Sequence, residues 1–300
     1  MTTITENDAP AEAPEISPSR ALWLRMRHHR GLMIGFWMVA TLILLAAFAP
    51  FISPHDPYEM ILADRLIPPI WTGEGSWVYP FGTDHLGRDY LSRLLYGSRI
   101  SLTIGFFAAS IGCVIGVTMG VMAGYFGGRI DQIATYILNC QLALPGLLFA
   151  MALVAFVGPS LIVVIFVLGV LQWTLFLVIT RTATMQIRQL EYTKAARAIG
   201  CSESQIIFKE ILPNVLNQII VVFTLEVGLA IISEASLSFL GVGIQAPLPS
   251  WGLMIAEGKE LMFLRPWLVL IPGIVLFLLV IAINLMGDGM RDVTAPENRR

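Results

Sequence analysis

Residues 191–213 read EYTKAARAIGCSESQIIFKEILP, a polar stretch set between long apolar runs. Charges gathered in this way within an apolar chain belong outside a bilayer, where they form a surface for a partner. Glu191 to Ile199 is rich in the good helix formers Ala, Lys and Arg, and Gly200 is a natural stop. Ser202 followed by Gln205 fits a capping box that opens a second helix. That helix runs through Ile206, Ile207, Phe208 and Ile211 to Pro213, which marks the turn toward the next apolar run. The predicted unit is a compact elbow of two short helices joined at Gly200. Ala195, Ala196 and Ala198 keep its first arm slim enough to enter a groove on a partner.

The composition around this stretch fixes the class. Hydrophobic residues make up 56% of 300 and charged residues 13%, with a mean hydropathy of +0.74, far from a soluble domain's balance. A net charge of -2 carries no nucleic-acid footprint. Cys113, Cys140 and Cys201 have neither disulfide-framework nor zinc-ligand spacing. Residues 1–18 (MTTITENDAPAEAPEISP) are acidic and proline-dotted rather than a basic, apolar leader. A disordered tail is expected there, so the first apolar helix stays in the mature chain.

Six segments are long enough to cross ~30 Å of hydrocarbon. They are Leu32–Ile52, Ser101–Gly124, Asp131–Val157, Ser160–Thr180, Val215–Leu240 and Trp267–Met286. The third contains Pro145, which predicts a kink. With the N-terminus inside, 13 of the 19 lysines and arginines fall on the inner side and six on the outer. The positive-inside rule then places both termini and the elbow in the cytoplasm. The RMRHHR run at residues 25–30 is an anchor beside the first span. Gly112, Gly116, Gly120 and Gly124, preceded by Gly105, line one face of the second span. They are read as a tight helix seam of a transporter core, or as ordinary membrane packing.

The elbow resembles the loop of ABC importer permeases that reads E-A-A, three residues, Gly, nine residues, I-x-L-P. Lys194-Ala195-Ala196 takes the place of E-A-A, Gly200 that of the glycine, and Leu212-Pro213 the closing pair. Lys194 replaces the pattern's Glu and Glu210 its Ile. Glu191, one turn before Lys194, offers a nearby carboxylate. Three further stretches look like those of dipeptide, oligopeptide and nickel importer permeases. These are FGTDHLGRDYLSRLLYGSRISL at 81–102, ASLSFLGVGIQAPLPSWG at 235–252 and NLMGDGMRD at 284–292. The chain looks most like the second of the two permeases in such systems, with a short outer loop between the first two spans.

The resemblance implies an all-α membrane protein: six transmembrane helices in the type-1 ABC importer permease fold, with a cytoplasmic coupling helix. The organisation expected is a cytoplasmic tail over 1–20, a first transmembrane helix and outer loop over 21–98, a permease core over 99–290 and a tail over 291–300. Such a subunit sits in the bacterial inner membrane and forms half of a pathway for di- or oligopeptides. Nickel, glutathione, opines and sugars are alternative cargoes. A second homologous permease, two cytoplasmic ATPases and an extracytoplasmic substrate-binding protein are the implied partners, alongside membrane lipid. The residues implied at the ATPase dock are Glu191, Lys194, Ala195, Ala196, Gly200, Leu212 and Pro213. No cofactor is expected on this chain. ATP and Mg belong to the partner subunits, for Lys194, Lys209 and Lys259 are the only lysines and none lies in a phosphate-cradling G-x-x-x-x-G-K-[ST] loop. An ion-gradient-driven secondary transporter is the alternative class, and a membrane enzyme or assembly factor a third.

Two other groups stand out. Glu226 and Glu234 lie within the fifth span, where a carboxylate faces a cavity, a partner or a water path. Eight residues apart, they project ~80° from each other. They are candidate pathway residues; the competing reading sets Glu234 among Ser233, Ser236 and Ser238. The second group is the outer motif Gly82, Thr83, Asp84, Gly87, Arg88, Asp89, Ser92 and Arg93. Its His85 and aspartates show no convergent catalytic or metal set. Instead, an outer amphipathic helix is expected, with Tyr90, Leu91, Leu94 and Leu95 on the membrane. Its Arg and Asp residues pair with one another or meet the binding protein. Trp71, Trp77, Tyr79, Trp251 and Trp267 are read as interfacial anchors.

Overall fold

The structure is a computed structural model that describes residues 24–294. The expected tail over 1–20 and the last residues, 295–300, lie outside that range. Eleven main helices build the described chain, beside short helical pieces at 24–28 and Ala49–Ile52. Helix α1 is Arg30–Ala47, α2 Tyr90–Phe126, α3 Gly128–Leu142, α4 Gly146–Val157, α5 Leu161–Leu171 and α6 Trp173–Ile187. The elbow supplies α7 (Glu191–Ala198) and α8 (Glu203–Ile206), followed by α9 (Leu212–Phe239), α10 (Trp251–Gly258) and α11 (Trp267–Thr294). Apart from one isolated bridge between Thr83 and Asp89, the described residues form no β structure, as lipid requires of an open chain.

Five helical spans are long and apolar enough to cross a membrane, and a bent pair makes a sixth. That pair is α3 and α4, which meet at 83° around Pro145. A single kinked span was expected there. A proline disfavours helical backbone in the residue before it, so the chain leaves α3 at Ala143 and starts α4 after Pro145. The second span also begins earlier than expected. Asp89 caps α2, accepting from the Ser92 N–H at 3.0 Å, and the helix runs 37 residues. The expected boundary at 98/99 therefore falls inside a helix, and α11 likewise runs past residue 290 to Thr294.

Pro213 does not turn the chain. Residues 207–211 form a π-helical turn, and Pro213 sits in the first turn of α9, where its missing N–H would have had no partner. Residues 203–239 thus make one continuous span of 37 residues, elbow arm included.

Packing centres on α2. Its glycine face is a seam inside this chain, laid against α6. A Cβ at Gly116 would strike the Trp173 carbonyl and Phe176, one at Gly120 the Thr180 hydroxyl, and one at Gly124 the Arg181 carbonyl. Gly112 meets the backbone of Gln172, the residue that links α5 to α6. Only glycine lets the two backbones come this close. One apolar cluster joins α2, α4, α5 and α9 through Ala108, Val154, Leu168 and Ala230. Another, around Trp251, joins α2, α9, α10 and α11. A third, with Tyr125, Phe176, Ile206 and Ile211, packs the elbow against the bundle. The NLMGDGMRD stretch earns its glycines here, because Gly287 faces Thr224 of α9 and Gly289 faces Leu32 of α1.

Candidate functional site

The elbow forms as its residues dictate. Ser202 Oγ accepts from the Gln205 N–H at 3.3 Å, and Gln205 Oε1 accepts from the Ser202 N–H at 3.0 Å, closing the capping box. Gly200 adopts φ +85°. The Cys201 N–H reaches back to the Ala196 carbonyl at 3.1 Å, the wrap of a left-handed helix C-cap. Lys194 Nζ lies 3.4 Å from Glu191 Oε1, one turn earlier. Both groups are open to solvent, and their pairing contributes little to stability. Glu191, Lys194, Ala195, Gly200 and Pro213 are exposed, and Ala196 and Leu212 half-buried. Ile199 is 81% exposed and Phe208 67%, so the elbow offers large apolar side chains that its own chain leaves uncovered.

The inner end of α2 closes on this elbow. Tyr125 is buried, and its hydroxyl accepts from Arg197 Nη2 at 3.0 Å and donates to the Glu203 carboxylate. Arg197 also lies over the Tyr125 ring, 5.5 Å from its centre. Nothing in the sequence spacing linked Tyr125 to residues more than 70 positions later. Nearby, Arg181 of α6 grips Asp131 of α3, with Nη2 2.8 Å from Oδ2.

At the opposite end of α2, the 82–93 motif builds a closed ion network. Asp84 accepts from the main-chain N–H of Leu86 at 2.8 Å and of Arg88 at 3.0 Å, from Arg88 Nε at 2.6 Å, and from Arg93 Nη1. Glu257 of α10 accepts from Arg88 Nη2 at 3.1 Å and from Arg93 Nη1, the nitrogen that also donates to Asp84, at 2.8 Å. Burial alone would raise the Asp84 pKa, but Arg93 and Arg88 hold it below the usual carboxylate range. Gly82 and Gly87, both at φ +77°, pass against the carbonyls of Ile67 and Ile61. Thr83 Oγ1 accepts from the Ile67 N–H at 2.9 Å and donates to the Asp64 carbonyl.

Several expectations change here. The Arg and Asp residues do pair with one another, but Tyr90, Leu94 and Leu95 are buried rather than laid on a membrane. Tyr90 donates to the Leu268 carbonyl. Trp251 and Tyr79 are not interfacial anchors. Trp251 is wholly buried and donates to the Leu94 carbonyl at 3.0 Å, and Tyr79 donates to Asp64 at 3.0 Å. Trp71 and Trp77 are exposed, as anchors are. Ligand atoms of Asp84, His85 and Glu257 come within 4.8 Å of one another. Both carboxylates are already held by arginines, whose charge repels a cation. Glu257 went unnoticed in the sequence because its partners lie more than 160 positions earlier.

The two glutamates of α9 have different surroundings. Glu234 is fully buried, and its Oε1 accepts from Ser238 and Ser250 Oγ, each at 2.8 Å. Ser238 was among the anticipated partners, while Ser250, the cap of α10, stands in for Ser233 and Ser236. Glu234 thereby ties the two ends of the 235–252 stretch together. Glu226, 5% exposed, has no side-chain hydrogen bond or ion pair among the described residues. Only its main-chain carbonyl is engaged, by Gln172 Nε2 at 3.3 Å.

Residues 116–300 match the family described as "Binding-protein-dependent transport system inner membrane component". Residues 17–69 match the "N-terminal TM domain of oligopeptide transport permease C". The chain is 37% identical to the di/tripeptide transport system permease protein DppC of Pseudomonas aeruginosa, covering 97% of each. It is 38% identical to the glutathione transport system permease protein GsiD of Pectobacterium atrosepticum, over 94% of this chain and 92% of that one. A chain of the MetNI methionine ABC transporter in inward facing conformations shares the fold, with a TM-score of 0.57 at 21% identity. That match covers 68% of this chain and 97% of the other.

Proposed function

The chain belongs to the family of binding-protein-dependent transport system inner membrane components, and we propose that it is one of two permease subunits of an ATP-driven importer of di- and oligopeptides. The elbow carries this reading. It is an exposed, rigidly capped helix pair, continuous with a membrane span, that displays uncovered Ile199 and Phe208. Residues 191–213 dock on a cytoplasmic ATPase. Both chain termini lie on that side, consistent with the lysine and arginine count. A second permease completes the pathway, two ATPases hold ATP and Mg and perform hydrolysis, and a binding protein delivers cargo at the opposite face. Closure of the ATPases moves the elbow and switches the pathway between outward and inward access.

Glu226 is the pathway candidate we favour, because a buried carboxylate with no partner among the described residues is poised for a group from outside them. Glu234 is committed to Ser238 and Ser250. Peptide cargo follows from the di- and tripeptide permeases among the relatives; the glutathione permease among them supports glutathione as a second cargo. The test is uptake into proteoliposomes holding the full complex, using radiolabelled alanyl-alanine with glutathione as competitor. Vanadate-sensitive, ionophore-insensitive uptake is expected. Ionophore-sensitive uptake by this chain alone would overturn the reading.

A further inference from the structure

Helix α2 touches both machineries of the molecule. Its first turn carries Arg93 into the ion network with Asp84 and Glu257, and its last carries Tyr125 into the elbow. Both belong to one unbroken helix of 37 residues, and the stretch from Arg93 to Tyr125 spans about 48 Å at roughly 1.5 Å per residue. The glycine seam fixes α2 against α6 along much of that length. The elbow, by contrast, has only a few ties to the membrane bundle. They are its covalent links to α6 and α9, the Thr193 bond to the Ile187 carbonyl, the apolar packing of Ile206 and Ile211 around Phe176, and the grip on Tyr125, the polar tie that holds both arms.

The grip has a specific chemistry. The Tyr125 hydroxyl is one donor and one acceptor, and both functions are used, each on a different arm of the elbow. Arg197 ends α7 and Glu203 begins α8, on either side of Gly200. The two side chains lie 3.7 Å apart, too far for a strong direct hydrogen bond, so the phenol bridges them. A phenylalanine would keep the ring beneath Arg197 yet leave Glu203 without its donor.

We propose that Tyr125 is the positioning residue that locks both arms of the elbow to α2, so that the elbow and the far ion network form the two ends of one lever. A displacement imposed on the elbow then reaches the opposite face through α2 as well as through α9. This inference rests on the permease reading.

The test needs no cargo. In the full complex, with Cys113, Cys140 and Cys201 replaced by alanine, nitroxides are placed at Val114→Cys on α2 and Tyr192→Cys on α7. Their separation is measured by pulsed electron spin resonance, without nucleotide and after trapping with ADP and vanadate. With Tyr125 present, the distance distribution is expected to stay the same in both states. With Tyr125→Phe it is expected to shift or broaden by the ~2 Å of a sliding helix interface. With Tyr125 present, the exchange Arg197→Glu with Glu203→Arg leaves the phenol one donor and one acceptor to meet, and is expected to keep the distance fixed. A shift with Tyr125 intact, or none with Tyr125→Phe, overturns the lever. Failure of the wild-type complex to trap nucleotide at all would overturn the permease reading on which it stands.

Discussion

Arg88 and Glu257 are 169 residues apart in the chain and 3.1 Å apart in space. Their contact fastens the loop ahead of α2 to the end of α10, and Asp84 and Arg93 close it into a ring of two acids and two bases. Each charge in the ring depends on the others, since breaking a buried pair leaves an ion without compensation.

Asp84→Asn is therefore expected to destabilise the chain by about 3–5 kcal/mol, because both buried guanidiniums lose the more buried of their two shared anions. Glu257→Gln should cost less, since Glu257 retains 18% side-chain exposure and water can replace part of what is lost. Thermal unfolding of the purified chain in detergent measures both. A smaller effect for Asp84→Asn than for Glu257→Gln would contradict this ordering.

The same network sets a pH dependence. Asp84 has a folded pKa below its unfolded value, so its contribution is complete above ~3.9, the unfolded carboxylate range. It is lost only as pH falls through the lower, folded value. The stability gap between wild type and Asp84→Asn should stay constant from pH 8 to pH 5 and narrow below about 3.9. A gap already closing at pH 6 would show that another group governs the site.

The seam of α2 makes a third expectation. Gly120→Ala would set a Cβ against the Thr180 hydroxyl and 2.7 Å from the Leu177 carbonyl, and overpacking of this kind costs about 1–3 kcal/mol. Gly146→Ala, at a position with nothing within 4 Å, is the control and should be neutral. Comparable melting losses for the two variants would mean that the seam is not tight.

How far the sequence led depends on the range of the interaction. The elbow was legible almost atom by atom, because capping box, glycine stop and helix propensity are all local. The spans were legible from hydropathy. Partners across the bundle were not. Tyr90, Leu94 and Leu95 form an apolar face whatever covers it, and no periodicity distinguishes lipid from α10 and α11. Pro213 looked like a turn, since proline so often ends a helix; at the start of one it is harmless, and the π turn before it lets the helix continue. Asp84 and Arg88 were visible as charges, but Glu257 became their partner only once α10 was folded against α2.

The elbow itself gives the sharpest functional expectation. Gly200 has open space where a Cβ would go, so its φ of +85° selects glycine by backbone conformation and not by crowding. Gly200→Ala costs roughly 1–2 kcal/mol in that conformation and should leave most uptake intact. Gly200→Pro is different in kind. It forces φ toward about −65° and removes an N–H that now bonds the Arg197 carbonyl at 3.1 Å, so the two arms must separate. With about 3 kcal/mol at stake, vanadate-sensitive uptake of radiolabelled alanyl-alanine by the reconstituted complex is expected to fall by tenfold or more. Ala196→Trp, beside the crevice lined by Cys201, Gln205 and Lys209, should reduce uptake by obstructing the dock while leaving the elbow's caps in place. Normal uptake and assembly with both Gly200→Pro and Ala196→Trp would remove residues 191–213 from the coupling mechanism.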